Sequence, residues 1–272
     1  GRDDPGEHDP PDRAGASVVE LLLTGPGSDR QRAAVRASAG SSLTVLIGGP
    51  GTGKTTTVAA MVAALIEATP SGQRGAALRI ALAAPTGKAA ARLGEAFAVA
   101  ADRLSPELAD ELSSAETSTI HRLLRPVPGS RSRFRHHAGD PLPHDVVIVD
   151  ESSMISLPLM ARLLDAVRPD ARLVVVGDPG QLASVETGSV LGDIAGPLAD
   201  VAPVDDHSPD PTAGAGPLAR CITVLEHSRR FPSSSPLAEL AAAVRGGDVD
   251  RALAVLDRSS PAADSSPAGQ GA

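Results

Sequence analysis

The sequence predicts an α/β fold in which a parallel β-sheet carries helices on both faces. Short aliphatic and β-branched runs recur along the chain, each too short for a buried helix, and the first four are followed by a turn and a helix-like stretch. This alternation is typical of parallel strands joined by crossover helices, and such sheets form their sites beyond the carboxyl ends of the strands. The predicted strands are Leu43–Ile47, Ile80–Ala84, Val146–Val149, Leu173–Val176 and Ile222–Leu225.

Composition narrows the class of protein. With 272 residues, of which 42% are hydrophobic, the chain is long and apolar enough for a packed core. The single cysteine, Cys221, excludes an internal disulfide and a cysteine-based metal site. The net charge of -8 gives no overall attraction to nucleic acid, so any DNA contact has to come from a local basic patch. Because no apolar run approaches the roughly 20 residues that cross a bilayer, we expect a cytoplasmic protein without membrane contact.

The chain is expected to contain one folded region, residues 29–257. Residues 1–28 are acidic and rich in Pro and Gly, which predicts a flexible leader with one short helix at Val18 to Leu23. Residues 258–272 are rich in Ser, Pro, Ala and Gly and predict a disordered tail. Residues 196–217 are rich in Gly, Pro and Asp and predict an exposed connection within the folded region.

A glycine-rich loop follows the first predicted strand and precedes an Ala/Val-rich helix. The loop fits the pattern G-x-x-x-x-G-K-[ST], in which backbone N–H groups and a helix amino terminus bind phosphates. Lys54 would reach the β- and γ-phosphates of ATP, and the Thr55 hydroxyl would bind Mg²⁺. The alternative is an ordinary glycine-rich turn, but the flanking strand and helix favour nucleotide binding. The predicted ATP-binding residues are Gly48, Gly49, Pro50, Gly51, Thr52, Gly53, Lys54, Thr55 and Thr56.

Two adjacent acids follow the buried strand Val146–Val149. Asp150 is placed to hold Mg²⁺ through water, and Glu151 is placed to polarise the water that attacks the γ-phosphate. That division of roles suits hydrolysis. The alternative interpretation is an ordinary acidic turn after a strand, and the presence of a phosphate loop makes that interpretation less favoured.

A glutamine follows the strand Leu173–Val176 in the segment Gly177-Asp178-Pro179-Gly180-Gln181-Leu182. The amide of Gln181 could accept from the attacking water and donate to the γ-phosphate. The same residues also suit an ordinary type I or II turn, so this pattern discriminates only in combination with the others.

Six motifs stand in the order found in superfamily 1 DNA helicases, which the chain resembles from about Asp29 to about Asp257. Within that superfamily it is most similar to the RecD family, the α subunit of the exodeoxyribonuclease V (RecBCD) complex. Besides the phosphate loop, the motifs are Ala84–Leu93, Thr117–Leu124, Asp150–Met154, Gly177–Val185 and Ser228–Phe231.

The resemblance implies a RecA-like P-loop NTPase lobe over residues 29–257 and an ATP-dependent 5′–3′ DNA helicase as the function. It also implies ATP and Mg²⁺ as cofactors, single-stranded DNA as the substrate, and RecB-like and RecC-like partners in double-strand break repair and recombination. A free-standing RecD-like or relaxase-type helicase, a non-catalytic nucleotide-binding remnant and a small-molecule kinase are the alternatives. The intact set of site residues argues against a remnant, and a kinase would have little need for Gln181.

The resemblance also assigns residues that contact DNA or the nucleotide. Thr86, Lys88, Thr119 and His121 match motifs that contact single-stranded DNA, although Lys88 could simply cap a solvated helix and His121 could be a packed histidine. Gln31 matches a glutamine that reads adenine, although it could equally lie on a polar helix face. Arg230 matches the arginine that reaches the γ-phosphate, and the adjacent Arg229 is the other candidate.

Residues 121–144 hold the densest positive charge in the chain and predict a loop or hairpin that either contacts nucleic acid or is only solvated. After Phe231 only 41 residues follow, and a second motor lobe needs about 100 or more. We therefore expect a fragment or truncated product that holds the first lobe, binds ATP, hydrolyses it weakly by itself and does not unwind DNA.

Overall fold

The computed structural model describes residues 17–25, 28–68, 77–130, 133–181, 190–199, 221–225 and 235–259. The strands are β1 Leu43–Gly48, β2 Ile80–Ala84, β3 Glu116–Thr119, β4 Val146–Val149, β5 Arg172–Gly177 and β6 Ile222–Leu225. They form one sheet in the order β3-β2-β4-β5-β1-β6, with all neighbours parallel. The helices of the described ranges are α1 Val18–Leu22, α2 Asp29–Ala39, α3 Lys54–Ala68, α4 Gly87–Ala101, α5 Pro106–Ser113, α6 Ile120–Leu124, α7 Leu157–Ala166, α8 Val190–Ala199, α9 Pro236–Arg245 and α10 Val249–Ser259.

Apolar side chains cover both faces of the sheet. On β4, Val146 and Ile148 belong to a hydrophobic cluster with α1 to α5, whereas Val147 and Val149 belong to a second cluster with α6, α7 and α8. Successive side chains of a strand point to opposite faces, so a strand that is buried on both sides is a continuous apolar run. This arrangement confirms the predicted α/β fold with a parallel sheet and two helical layers.

The structure contains all five strands that the aliphatic runs predict and adds β3, which they do not. The sequence of β3 is Glu-Thr-Ser-Thr, and its first two residues are exposed. Among the described strands, β3 lies at an edge of the sheet and pairs only with β2. Because an edge strand with a solvated side needs no apolar run, the search for apolar runs in the sequence could not find β3.

The segment before α2 differs from the predicted flexible leader. Residues 17–25 pack against the folded region, with Val18, Leu22 and Leu23 buried. The guanidinium of Arg32 donates to the carbonyl oxygen of Leu23 at 2.7 Å, and Arg103 donates to the carbonyl oxygens of Leu21 and Leu22. The short helix is where the sequence predicts it, but the Pro-rich and acidic composition of residues 1–28 as a whole gave no sign that it packs against the folded region.

The described residues form two compact units. The first contains the sheet and helices α1 to α8, and the second contains Gly49–Gly53 with α9 and α10. In the second unit, Glu239 of α9 pairs with Arg251 and Arg258 of α10 at 3.5 and 2.8 Å.

Two other predicted boundaries fall partly outside the described residues. Residues 196–199 of the expected exposed connection belong to α8, and residues 200–217 lie outside the described ranges. Residues 258 and 259 of the expected tail belong to α10, and the positions after them also lie outside. None of the helices in the described ranges combines the length and apolarity that a bilayer crossing requires.

Candidate active site

The register of the sheet brings the predicted site segments to one edge. Ala84 pairs with Thr119, Ala83 with Val149, Val149 with Val175, and Ile47 with Gly177. Apart from Val175, which lies two residues before the end of β5, each of these residues lies at or next to the carboxyl end of its strand. The segments that follow β2 to β5 therefore leave the sheet side by side, next to the carboxyl end of β1, as the parallel fold predicts.

The loop between β1 and α3 is a tight turn that is stabilised by hydrogen bonds within the loop. Gly51 and Gly53 have φ angles of +77° and +83°, which favour glycine. The buried Thr52 donates from both its backbone N–H and its hydroxyl to the carbonyl oxygen of Gly49, at 3.4 and 2.9 Å. The two glycines are thus required by the backbone of the loop itself.

Lys54 begins α3, and its ammonium donates to the carbonyl oxygen of Gly48 at 2.5 Å. Thr55 and Thr56 follow it and are half-buried, and the next residue, Thr57, is buried. Lys54 therefore lies against the carboxyl end of β1 with its positive charge at this edge of the sheet.

Asp150 and Glu151 form a strained acidic turn directly after β4. Burial raises the pKa of the Asp150 carboxyl, the adjacent Glu151 charge also raises it, and the N–H of Glu151 and the charge of Lys54 oppose the rise. That N–H donates to Asp150 Oδ1 at 2.8 Å. Glu151 has φ 52° and ψ 38°, in the left-handed region that costs a residue with a side chain roughly 1–3 kcal/mol. Such outliers cluster at functional sites, where the surrounding structure holds them in place.

A short 3-10 turn, Ser152–Met154, ties this acidic turn to β5. The buried hydroxyl of Ser152 donates to the carbonyl oxygen of Val176 at 2.7 Å. A Cβ atom on Gly177 would lie 2.6 Å from Ser152 Oγ and 2.5 Å from Leu191 Cδ2. Only glycine fits at the end of β5 while the 3-10 turn packs this closely.

Gln181 is exposed at the end of the turn that follows β5, and its amide nitrogen donates to Asp178 Oδ2 at 3.1 Å. The other oxygen of Asp178 accepts the N–H of Gly180 at 3.0 Å. Sequence reasoning treated Asp178 as a turn residue and assigned it no role. The signal was an aspartate two residues before a glycine and three before the glutamine, because an aspartate often accepts from the backbone two residues on.

The residues predicted to contact DNA are brought together at the ends of β2 and β3. The hydroxyls of Thr86 and Thr119 accept the N–H groups of Ala89 and Arg122, at 3.2 and 3.3 Å, and so cap α4 and α6. Thr86 and Lys88 are exposed, and Thr119 is half-buried.

His121 is exposed, so the alternative of a packed core histidine is wrong. Its ring centroid lies 5.8 Å from that of Phe134, with the planes tilted by 58°. Phe134 is half-buried, whereas the exposed imidazole of His121 stays available to a ligand.

The basic run 121–144 contains an antiparallel hairpin after α6. Its arms are joined by a bridge between Pro126 and Phe134 and by the N–H of Arg135, which donates to the carbonyl oxygen of Arg125 at 2.8 Å. Arg135 pairs with Asp140 at 3.4 Å. The exposed guanidinium groups of Arg122, Arg125 and Arg133 have no acidic partner among the described residues. Positive charge is therefore concentrated and accessible beside His121.

Two predicted nucleotide contacts remain predictions. Gln31 is 2% exposed on α2, which rules out the alternative of a solvated polar helix face but does not test adenine binding. Arg230 and its neighbour Arg229 lie outside the described residues.

The donor set at the acidic turn fits Mg²⁺, which prefers carboxylate oxygens together with substrate phosphates and water. Asp150 uses one oxygen for the N–H of Glu151, and its other oxygen accepts no hydrogen bond from a described residue. In the described part of the chain, no group of three or more His, Cys, Asp or Glu side chains is arranged to hold a metal by itself. An ion at Asp150 and Thr55 would depend on nucleotide phosphates and water for its remaining ligands.

A family profile described as an AAA domain matches residues 31–187, more than half of the chain. The chain belongs to the AAA domain family. The match includes the phosphate loop, the acidic turn and Gln181. Family membership therefore agrees with the site that the fold assembles.

Similar proteins support the resemblance to RecD. The chain is 49% identical over 245 residues to the RecBCD enzyme subunit RecD of Mycolicibacterium smegmatis, covering 90% of this chain and 40% of that protein. It is 45% identical over 246 residues to the protein of the same name from Mycobacterium tuberculosis H37Rv, covering 90% and 39%. The ATP-dependent RecD2 DNA helicase of Deinococcus radiodurans is 43% identical over 164 residues, covering 60% and 19%. The predicted RecD resemblance is confirmed, and the chain spans about two fifths of the length of its RecD relatives.

Among solved structures, Bacteroides Pif1 bound to ssDNA is similar with a TM-score of 0.47 and 19% identity, covering 89% of this chain and 51% of that one. Pif1 helicase from Candida albicans has a TM-score of 0.46 and 16% identity, covering 86% and 48%.

Proposed function

We propose that this chain is the ATP-binding motor lobe of a RecD-like, ATP-dependent 5′–3′ DNA helicase. The full-length protein would act in double-strand break repair and recombination with RecB-like and RecC-like subunits in the cytoplasm. One observation carries the proposal: a basic residue, an acidic turn and a glutamine turn line one half of the sheet edge, and exposed basic residues line the other. The similarity to RecD proteins over 90% of the chain supports it.

On the nucleotide side, Lys54 and the backbone of Gly48 to Thr56 contact the phosphates of ATP, and Gln31 contacts adenine. Thr55 and Asp150 hold Mg²⁺, which when bound neutralises phosphate charge. Burial raises the pKa of Asp150 although the charge of Lys54 opposes the rise, so its ionised form is only partly compensated in the protein alone. A cation would supply the remaining charge.

Hydrolysis needs a water aligned with the γ-phosphate and a group that takes its proton. Glu151 follows Asp150 immediately, and its carboxylate accepts the proton from the attacking water. Gln181 orients the same water through its amide oxygen, and Arg230 stabilises charge on the γ-phosphate. Gln181 and Glu151 follow neighbouring strands, which keeps both within one edge of the sheet.

On the DNA side, Thr86, Lys88, Thr119 and His121 contact single-stranded DNA, and the hairpin arginines add positive charge. These cations are exposed, so they contribute through phosphate contacts and counterion release without a cost of burial. Strand binding at the ends of β2 and β3 then lies next to the end of β4, which carries the acids. This adjacency gives a direct route by which DNA could alter hydrolysis.

The full-length protein tests the proposal through ATP hydrolysis and unwinding of duplexes that carry either a 5′ or a 3′ single-stranded tail. We expect single-stranded DNA to stimulate hydrolysis and the 5′-tailed duplex to be unwound. ATP binding without hydrolysis, with or without DNA and partner subunits, would support a nucleotide-binding remnant. Unwinding that needs no partner subunit would support a free-standing helicase.

A further inference from the structure

Both carboxylate oxygens of Asp178 accept hydrogen bonds from residues of its own turn. Oδ1 accepts the N–H of Gly180 at 3.0 Å, and Oδ2 accepts the side-chain amide nitrogen of Gln181 at 3.1 Å. The backbone carbonyl of Asp178 also accepts the N–H of Gln181 at 3.1 Å. The residue is only 9% exposed, and no Lys, Arg or His of the described ranges forms an ion pair with it. The carboxylate of Asp178 therefore stabilises this turn and holds the side chain of Gln181.

The bond between Asp178 and Gln181 selects one of the two orientations of the glutamine amide. An ionised carboxylate only accepts hydrogen bonds, whereas an amide has a donor end and an acceptor end. The nitrogen of Gln181 must therefore face Asp178, and Oε1 must face away from it. Without the carboxylate, nothing else among the described contacts of Gln181 distinguishes the two ends.

We propose that Asp178 is a positioning residue that fixes the amide of Gln181 with Oε1 and one N–H directed outward. Oε1 is then placed to accept from the attacking water, and the remaining N–H is placed to donate to the γ-phosphate. The inference rests on the proposed function, because it assumes that Gln181 acts on that water.

The turn that Asp178 organises is itself joined to the acidic turn. Ser152 lies one residue after Glu151, and its hydroxyl binds the carbonyl oxygen of Val176, two residues before Asp178. Gly177 allows the two segments to pack in contact. The orientation of Gln181 is thus defined relative to the segment that carries Glu151, which a water held by both residues requires.

The test is a double-mutant cycle on DNA-stimulated ATP hydrolysis by the full-length protein. Asp178→Asn keeps the size of the side chain but lets position 178 either accept from the amide nitrogen of Gln181 or donate to Oε1, so both amide orientations become possible. We expect it to lower kcat about tenfold, the loss of one hydrogen bond to a charged group, with KM for ATP nearly unchanged. Gln181→Ala is expected to lower kcat about 100-fold. The double variant should be no slower than Gln181→Ala, because residues that act through one another are not additive.

A second comparison separates orientation from simple stabilisation of the turn. Gln181→Glu places two carboxylates together, so we expect it to lower kcat less when Asp178→Asn is also present. Asp102→Asn, at an exposed position on the surface, serves as the control for loss of a charge and should leave kcat unchanged. Binding of a fluorescent ATP analogue should stay within about twofold of the wild type in all variants, because the change lies in the transition state.

The possible failures are distinguishable. If the effect of Asp178→Asn is fully retained in the Gln181→Ala background, Asp178 does not act through Gln181 and the inference is overturned alone. If Gln181→Ala hydrolyses ATP as fast as the wild type, both the inference and the role of Gln181 fail. If the wild type itself shows no DNA-stimulated hydrolysis, the proposed function fails.

Discussion

The two halves of the sheet's carboxyl edge differ in how their polar side chains are held. At the ends of β4 and β5, the carboxylates of Asp150 and Asp178 are half-buried or buried and hydrogen-bonded to the next turn. At the ends of β2 and β3, Lys88 and His121 are exposed, and the threonine hydroxyls only cap helices. We call these the nucleotide half and the DNA half.

The difference follows from what each half is proposed to do. Hydrolysis gains from groups that are already oriented toward the charge that develops, and a buried, connected turn avoids reorganisation during the reaction. Binding of a flexible polyanion gains mainly from accessible positive charge and released counterions. A rigid half and a solvated half can therefore share one edge.

The largest effect is expected from Glu151→Gln in the nucleotide half. The amide cannot accept the proton of the attacking water, so we expect ATP hydrolysis to fall by about 10² to 10⁴-fold. ATP affinity should be retained, because the phosphate contacts are unchanged. Glu95→Gln, at an exposed position on α4, is the matched control and should hydrolyse ATP normally. Normal turnover by Glu151→Gln would remove that residue from the mechanism.

The close packing of the nucleotide half predicts a smaller effect on stability. Gly177→Ala places a Cβ 2.6 Å from Ser152 Oγ and 2.5 Å from Leu191 Cδ2. The free energy of unfolding should fall by roughly 1–3 kcal/mol, as for other overpacked sites. Gly87→Ala is the control in the DNA half, because its new Cβ meets no atom within 4 Å. Denaturant unfolding of both variants checks this, and equal stabilities would contradict the packing argument.

The solvated DNA half predicts a modest and salt-dependent effect. Arg122→Ala removes an exposed guanidinium beside His121, so the affinity for single-stranded DNA should fall a few-fold. The slope of log affinity against log salt should shrink by roughly 0.7, the contribution of one phosphate contact. Arg36→Ala, at an exposed position on α2, controls for loss of one charge. An unchanged salt slope for Arg122→Ala would exclude a phosphate contact there.

The smallest effect concerns Asp150 and pH. Because burial raises the pKa of this carboxyl in the folded protein, its ionised form destabilises the fold. The cost is present above the folded pKa and disappears as the pH falls through that value toward the unfolded one. Asp150→Asn should thus be more stable than the wild type at neutral pH without Mg²⁺. The gap should narrow in acid, and a gap that denaturant unfolding finds independent of pH would contradict the burial effect.

For the nucleotide half, the sequence predicted the strands and the residues that follow them, but it did not predict the geometry of the turns. Aliphatic runs located β4 and β5, and the acids and the glutamine stood directly after them. The left-handed conformation of Glu151 could not be predicted, because residues other than glycine rarely adopt it. The role of Asp178 was hidden because one turn pattern serves both a surface turn and an oriented amide.

The DNA half was less accessible to sequence reasoning. The polar strand β3 has no apolar run, so it was missed although it carries Thr119 at its end. Whether His121 is exposed or packed depends on the tertiary structure, and only the structure shows that it is exposed. The sequence showed the basic charge of residues 121–144, but it left open whether this segment is a loop or an antiparallel hairpin.

The account's central claim is that the two halves bind different ligands, and the two lysines of the chain offer its most direct measurement. Affinities for an ATP analogue and for single-stranded DNA are measured separately for Lys54→Ala and Lys88→Ala in the full-length protein. We expect Lys54→Ala to weaken ATP binding about tenfold or more, with DNA affinity nearly unchanged, and Lys88→Ala to do the reverse. ATP affinity that is unchanged by Lys54→Ala, or equal losses of both ligands in both variants, would contradict the claim.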